Sequence, residues 1–178
     1  MANGGRARSW ACDIAMFVAL LSTAVALGGA LAHLLELPNK IHLPAAEYFI
    51  VQGIYRGWNR LGFVLFVQLL SILTLIALSG RRNGIFWSGL AALLCLMGAQ
   101  ALFWLYTFPA NVATANWTVI PQDWEQLRFQ WEISHAAGAF LQLGAMIALI
   151  IASIARARPD YAEEPAAEPR AGSSAPSP

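Results

Sequence analysis

Two histidine–glutamate pairs stand out in this 178-residue sequence, His33-Leu-Leu-Glu36 and Glu132-Ile-Ser-His135. Both have i, i+3 spacing, which places imidazole and carboxylate on one face of a helix. Neutral imidazole and ionised carboxylate suit iron, copper or zinc, so His33, Glu36, Glu132 and His135 form a candidate transition-metal set. Glu-x-x-His is half of a di-iron carboxylate site, but residues 61–106 supply none of the further Glu ligands. Two histidines at one depth are alternatively axial ligands for a haem. The same residues suit metal-free catalysis, with His33 or His135 as base, Glu36 and Glu132 orienting them and Arg128 holding an anionic oxygen. A structural reading stands beside these: a His–Glu hydrogen-bond network between two helices, with Arg128 paired to Glu132 at i+4.

The elements that position these residues follow from the distribution of charge. The chain is 58% hydrophobic and 12% charged, against roughly 45–50% and about 25% in soluble domains, which excludes an ordinary water-soluble globule. A net charge of +1 lacks the basic excess that nucleic-acid binding requires, so no nucleic-acid partner is expected. Cys12 and Cys95 fall inside apolar runs without metal-ligand spacing and read as core residues, which excludes a disulfide framework.

Between Asp13 and Glu36, Arg60 and Arg81, Arg82 and Asp123, and Glu132 and Arg156 the chain carries no acidic or basic side chain other than His33 and His135. Each run reaches the roughly 20 residues a helix needs to cross hydrocarbon. The pattern predicts an all-α fold, a bundle of four transmembrane helices at about 14–36, 61–80, 84–106 and 131–155, the last extending outward from about residue 121. The first run is too long for the apolar core of a cleaved signal. Two outer loops, 37–60 and 107–130, are expected to carry short helices, one from Pro44 to about Tyr55. Residues 1–158 form the membrane domain, and the Pro-rich stretch 159–178 is expected to be a disordered cytoplasmic tail. Arg6/Arg8, Arg81/Arg82 and Arg156/Arg158 put both termini on the cytoplasmic side by the positive-inside rule.

In this topology helix 1 runs outward and helix 4 inward, so both His–Glu pairs are expected to converge near the outer surface. Trp124, Leu127, Arg128, Trp131, Glu132 and His135 form one helical stripe leading down to them. Gln100 and Trp104 on helix 3, and Trp131 and Gln142 on helix 4, are the candidate lining for a cofactor or ligand in a polar cavity that opens outward. Gln68 is expected to bond between helices. Lys40 and Arg60 are expected to contact lipid headgroups or loop carboxylates, and Asp13 to pair with Arg6, Arg8 or Arg82.

The stripe Trp124, Arg128, Trp131, Glu132, His135, together with Pro109 and Asn111 after helix 3, resembles the signature of four-helix membrane proteins similar to fungal anthrone oxygenases, a family with many bacterial members. AHLLELPNKIHL and YFIVQGIY also look like the first outer loop of those members. Ala136-Ala137-Gly138 stand where the family often has an Arg. The resemblance implies an oxidoreductase in the bacterial cytoplasmic membrane, an oxygenase of hydrophobic phenolic or polycyclic substrates. The alternative is a non-catalytic accessory subunit docking a larger membrane complex. A small-solute carrier is opposed by the aliphatic cytoplasmic half. In every case the lipid bilayer is a partner.

Overall fold

The structure is a computed structural model that describes residues 2–81 and 84–157. Arg82, Arg158 and the expected tail at 159–178 lie outside the described residues. The described residues are predominantly helical, with turns between the helices and no strand among them. Its elements are α1 (Ala2–Lys40), α2 (Ala45–Gln52), α3 (Leu61–Leu78), α4 (Gly84–Leu102), α5 (Phe108–Ala113) and α6 (Trp124–Ala157). Four helical segments, Arg6–Lys40, Trp58–Leu78, Gly84–Ala113 and Trp124–Ala157, are long and apolar enough to cross a membrane. Phe17, Leu21, Phe63, Phe66, Leu94 and Ile147 are exposed on their outer faces, the inverse of a water-soluble surface and the arrangement a bilayer solvates. The chain is an integral membrane protein with an all-α four-helix fold.

The helices form a closed ring in which α1 packs on α3 and α6, and α4 packs on α3 and α6. Several ends differ from the sequence expectation. α1 does not stop at residue 36 but runs through Pro38 to Lys40, because Lys40 is held by acidic and phenolic partners inside the bundle. The third span continues past Tyr106 through a π-helical turn at Phe103–Thr107 into α5. There Phe108 N–H reaches back to Phe103 O, and Gln130 of α6 donates to Tyr106 O at 2.8 Å. α6 begins at Trp124, three residues beyond Pro121.

The interior is built in three storeys. At one end Cys12, Met16, Ile72, Leu75, Leu96 and Leu149 belong to a dry aliphatic core. Above it lies a thin polar layer in which Gln68 Nε2 donates to Thr23 Oγ1 and Gln142 Oε1, both at 3.0 Å. A cap of aromatic residues closes the other end: Tyr48, Trp117 and Trp131, with Phe49, Tyr55 and Trp124 packed on them. Gly29 lets this upper storey close, since a Cβ there would stand 3.2 Å from Leu61 Cδ1 and 3.7 Å from the Trp58 ring.

The opposite end is held by arginines. Arg156 of α6 donates to Asp13 Oδ1 at 2.6 Å and to Ser9 O at 3.0 Å on α1, and Arg8 donates twice to Leu78 O at the end of α3. Asp13 therefore pairs with Arg156 among the described residues and not with Arg6 or Arg8, while Arg82 lies outside the described residues. The neighbouring antiparallel helix α6 brings its own last turn alongside Asp13.

Candidate functional site

α1 and α6 lie side by side and antiparallel, so His33 and His135 meet at one level, their ring centroids 4.2 Å apart. Both rings rest on Trp131, whose centroid is 5.1 Å from His33 and 3.9 Å from His135. The Trp131 indole is fixed from above: its Nε1–H donates to Asn111 Oδ1 at 2.9 Å, and the same oxygen accepts from Trp117 Nε1 at 3.1 Å. Trp117 reaches that position from a left-handed turn of three consecutive residues, Ala115, Asn116 and Trp117, with φ of 47°, 56° and 63°. Such a turn costs roughly 1–2 kcal/mol per non-glycine residue. The Thr114 hydroxyl offsets part of it, accepting from Trp117 N–H at 3.0 Å and donating to Ala110 O at 2.8 Å.

The two carboxylates converge on a cation that the sequence reading placed outside. Lys40 Nζ lies 3.3 Å from Glu36 Oε1 and 3.3 Å from Glu132 Oε1, and only 2% of Lys40 is exposed. Its ammonium also donates to the Tyr55 hydroxyl and stands over the Tyr55 and Trp131 rings at 4.5 and 4.8 Å. Headgroup contact is thus corrected to burial: a helical turn beyond Glu36 puts Lys40 at i+4, facing inward.

Phenols complete the cluster. Tyr48 donates to Glu132 Oε1 at 2.8 Å and accepts from Gln52 Nε2, and Tyr55 donates to Glu36 Oε1. Tyr48 is fully buried. Burial, followed by the Glu132 charge, pushes its hydroxyl well above the ordinary phenol range. Two carboxylates against one ammonium leave one negative charge uncompensated, and one further proton makes the cluster neutral.

Three buried polar atoms of this cluster have no hydrogen-bond partner among the described residues: Glu132 Oε2, Gln52 Oε1 and His33 Nδ1. His33 Nδ1 comes within 3.3 Å of Glu36 Oε1, but too obliquely to form a hydrogen bond. His135 Nδ1 faces the Trp131 carbonyl at 2.9 Å. A carbonyl only accepts, so that nitrogen carries the proton and Nε2 keeps its lone pair.

Of the residues singled out from sequence, the fold brings together His33, Glu36, Trp131, Glu132 and His135. Arg128 is not paired with Glu132: it donates to Leu43 O at 2.8 Å and stacks on Trp124 at 4.5 Å, fastening the cap. The bidentate-capable guanidinium is drawn to a carbonyl of the loop while Glu132 turns inward to Lys40. Gln142 lies one storey below, bonded to Gln68. Trp104 is 58% exposed and packs on Phe103 and Phe108, so it faces away from the cluster. Gln100 is half-buried on α4, outside the cluster's hydrogen bonds. Lys40, Tyr48, Gln52, Tyr55 and Trp58 were missed. The i, i+3, i+7 register of His33, Glu36 and Lys40 was the available signal for the first of them.

The donors do not fit a metal ion. The space between Glu36 and Glu132 is taken by the Lys40 ammonium, and no group of three or more His, Cys, Asp or Glu among the described residues is disposed to hold a metal. A haem does not fit between imidazoles whose centroids are 4.2 Å apart and in direct ring contact. What the arrangement offers is acid–base chemistry: an imidazole nitrogen with a free lone pair, a fixed ammonium and hydrogen-bonded carboxylates in one largely buried cluster.

Comparisons with models of protein families, with curated proteins and with solved structures find no match to this chain.

Proposed function

We propose that this integral membrane protein is an oxidoreductase that handles protons at its capped end without a metal, acting as an oxygenase on a hydrophobic aromatic substrate drawn from the bilayer. The observation that carries the reading is the contact of His33 and His135 on the Trp131 platform, beside carboxylates bridged by the Lys40 ammonium. The His135 Nε2 lone pair removes a proton from an acidic C–H flanked by aromatic rings. The Lys40 ammonium holds the resulting enolate or phenolate oxygen, the role that sequence gave to Arg128. His33, in ring contact with His135, takes the proton onward. Dioxygen is the oxidant: a CH₂ becomes C=O, one oxygen atom enters the product and the other leaves as water with the two hydrogens.

The resemblance of Trp124, Arg128, Trp131, Glu132, His135, Pro109 and Asn111 to anthrone-oxygenase-like proteins supports this reading. The arginine-bearing end is assigned to the cytoplasm of a bacterial cell, with both termini there and the cluster near the outer surface.

The test is oxygen uptake by the purified protein in lipid nanodiscs with an anthrone-type substrate. The wild type consumes one O₂ per substrate, a chelator has no effect, and His135→Gln lowers the rate by about 10²–10⁴-fold, the usual worth of a positioned base. No uptake above the empty-nanodisc rate contradicts the proposal.

One observation favours the second reading, an accessory subunit with a structural network. Glu132 and Lys40 are sealed from the surface, at 0% and 2% exposure. On that reading His33→Ala and His135→Ala lower stability and leave every measured rate unchanged.

A further inference from the structure

The end of the molecule opposite the cluster carries a second feature that proton chemistry does not use. Between α1 and α6 runs a groove of about 600 Å³. Its mouth is formed by Ser9, Asp13 and Arg156, and its floor by Met16, Phe17 and Leu20. From Asp13 to Leu20 is seven residues, about 10 Å along a helix, so the groove descends from a charged rim into the hydrocarbon region. A smaller groove of about 290 Å³ flanks the same arginine and is lined by Arg8, Ser79 and Gly80. Among the described residues at this end, Arg6, Arg8, Arg81 and Arg156 face one acid, Asp13. Arg156 is held rigidly: Nε donates to Asp13, and one terminal nitrogen donates to both the carbonyl and the hydroxyl of Ser9. Its other terminal nitrogen bonds to no described residue.

We infer that this groove binds one anionic phospholipid, with its phosphate on Arg156 and an acyl chain along Met16, Phe17 and Leu20. The charge selects the head: a basic recess between membrane helices at the headgroup level attracts anionic lipid, and each arginine contributes independently of contact shape. A guanidinium already fixed by Asp13 and Ser9 presents its free edge to a phosphate without further ordering. The depth selects a lipid over free phosphate, since an inorganic ion leaves the apolar floor unfilled. Asp13, engaged by Arg156 Nε at 2.6 Å, offsets one of the four arginine charges, and this end keeps a net positive charge.

Native mass spectrometry and thermal unfolding of the full chain in detergent test the inference, with phosphatidylglycerol, phosphatidylcholine and inorganic phosphate as the three probes. Phosphatidylglycerol is retained at one per chain, about tenfold more tightly than phosphatidylcholine, and raises the melting temperature by about 2–4 °C. Arg156→Gln removes that preference. Because Arg156 also ties α6 to α1, a second variant at another residue lining the groove on α6, Ser153→Phe, fills the groove and leaves every charge in place; it abolishes retention as well. Equal retention of the two lipids, equal stabilisation by inorganic phosphate, or undiminished phosphatidylglycerol binding in Ser153→Phe overturns the inference.

Discussion

Lys40 is the residue on which the capped end turns. Its ammonium separates two carboxylates, Glu132 fully buried and Glu36 partly exposed, and removing one partner from such a set leaves an uncompensated buried charge. Lys40→Met is therefore expected to destabilise the protein by about 3–5 kcal/mol, measured by denaturant titration in detergent. Lys40→Met combined with Glu132→Gln recovers much of the loss, because the two sites couple through direct contact. A loss under about 1 kcal/mol for the single variant, the scale of an exposed ion pair, means that the pair is hydrated. Tyr48 gives a pH test of the same enclosure. Its folded-state pKa is raised above the ordinary value near 10, so the native protein keeps a proton that the unfolded chain loses. Stability is therefore full below pH 10 and falls as pH rises further. The ultraviolet tyrosinate signal should show one phenol that titrates only on unfolding. Tyr48→Phe removes that delayed ionisation.

At the level of elements, the cap is positioned by side chains more than by helix packing. Asn111, between the third span and the cap, accepts from two indoles at once. Asn111→Leu leaves both N–H groups unpaired, at about 1–3 kcal/mol each, and red-shifts tryptophan emission as Trp131 loosens. The left-handed turn at Ala115–Trp117 predicts the opposite sign for another variant. Ala115→Gly removes the steric penalty at φ 47°, stabilising by up to about 1 kcal/mol after the added freedom of glycine in the unfolded chain is counted. A lower melting temperature for that variant argues against the turn. Much of the spanning pattern was legible because charge-free runs of membrane length leave few alternatives, and the depth match of the two His–Glu pairs followed from helix direction alone. The end of α1 was not legible. The helix is expected from sequence to end near residue 36, and only the buried partners of Lys40 show why it continues through Pro38. The roles of Tyr48 and Tyr55 were not legible either, since their amphipathic rings suit an interfacial headgroup belt as well as a buried phenol. The fate of Arg128 depended on where the 37–60 segment folds back, which helical periodicity does not encode.

For the whole molecule, the three storeys set what the protein can do. The lower half around Ile72, Leu75, Leu96 and Leu149 is packed aliphatic, and among the described residues the buried acidic and basic side chains His33, Lys40 and Glu132 all stand at the capped end. Arginines gather at the other end, and a reporter inserted near Asn116 should be external while one after Arg81 is cytoplasmic. The reverse result moves the cluster to the inner surface and leaves its geometry unchanged. The proposed removal of a proton from a hydrophobic substrate by the His33–His135 cluster has its sharpest test without oxygen. Under argon in D₂O, nanodisc-embedded wild type should exchange deuterium into the acidic C–H of an anthrone-type substrate well above the empty-nanodisc rate, and His135→Gln should fall to that background. Exchange that is absent in the wild type, or undiminished in His135→Gln, would contradict it.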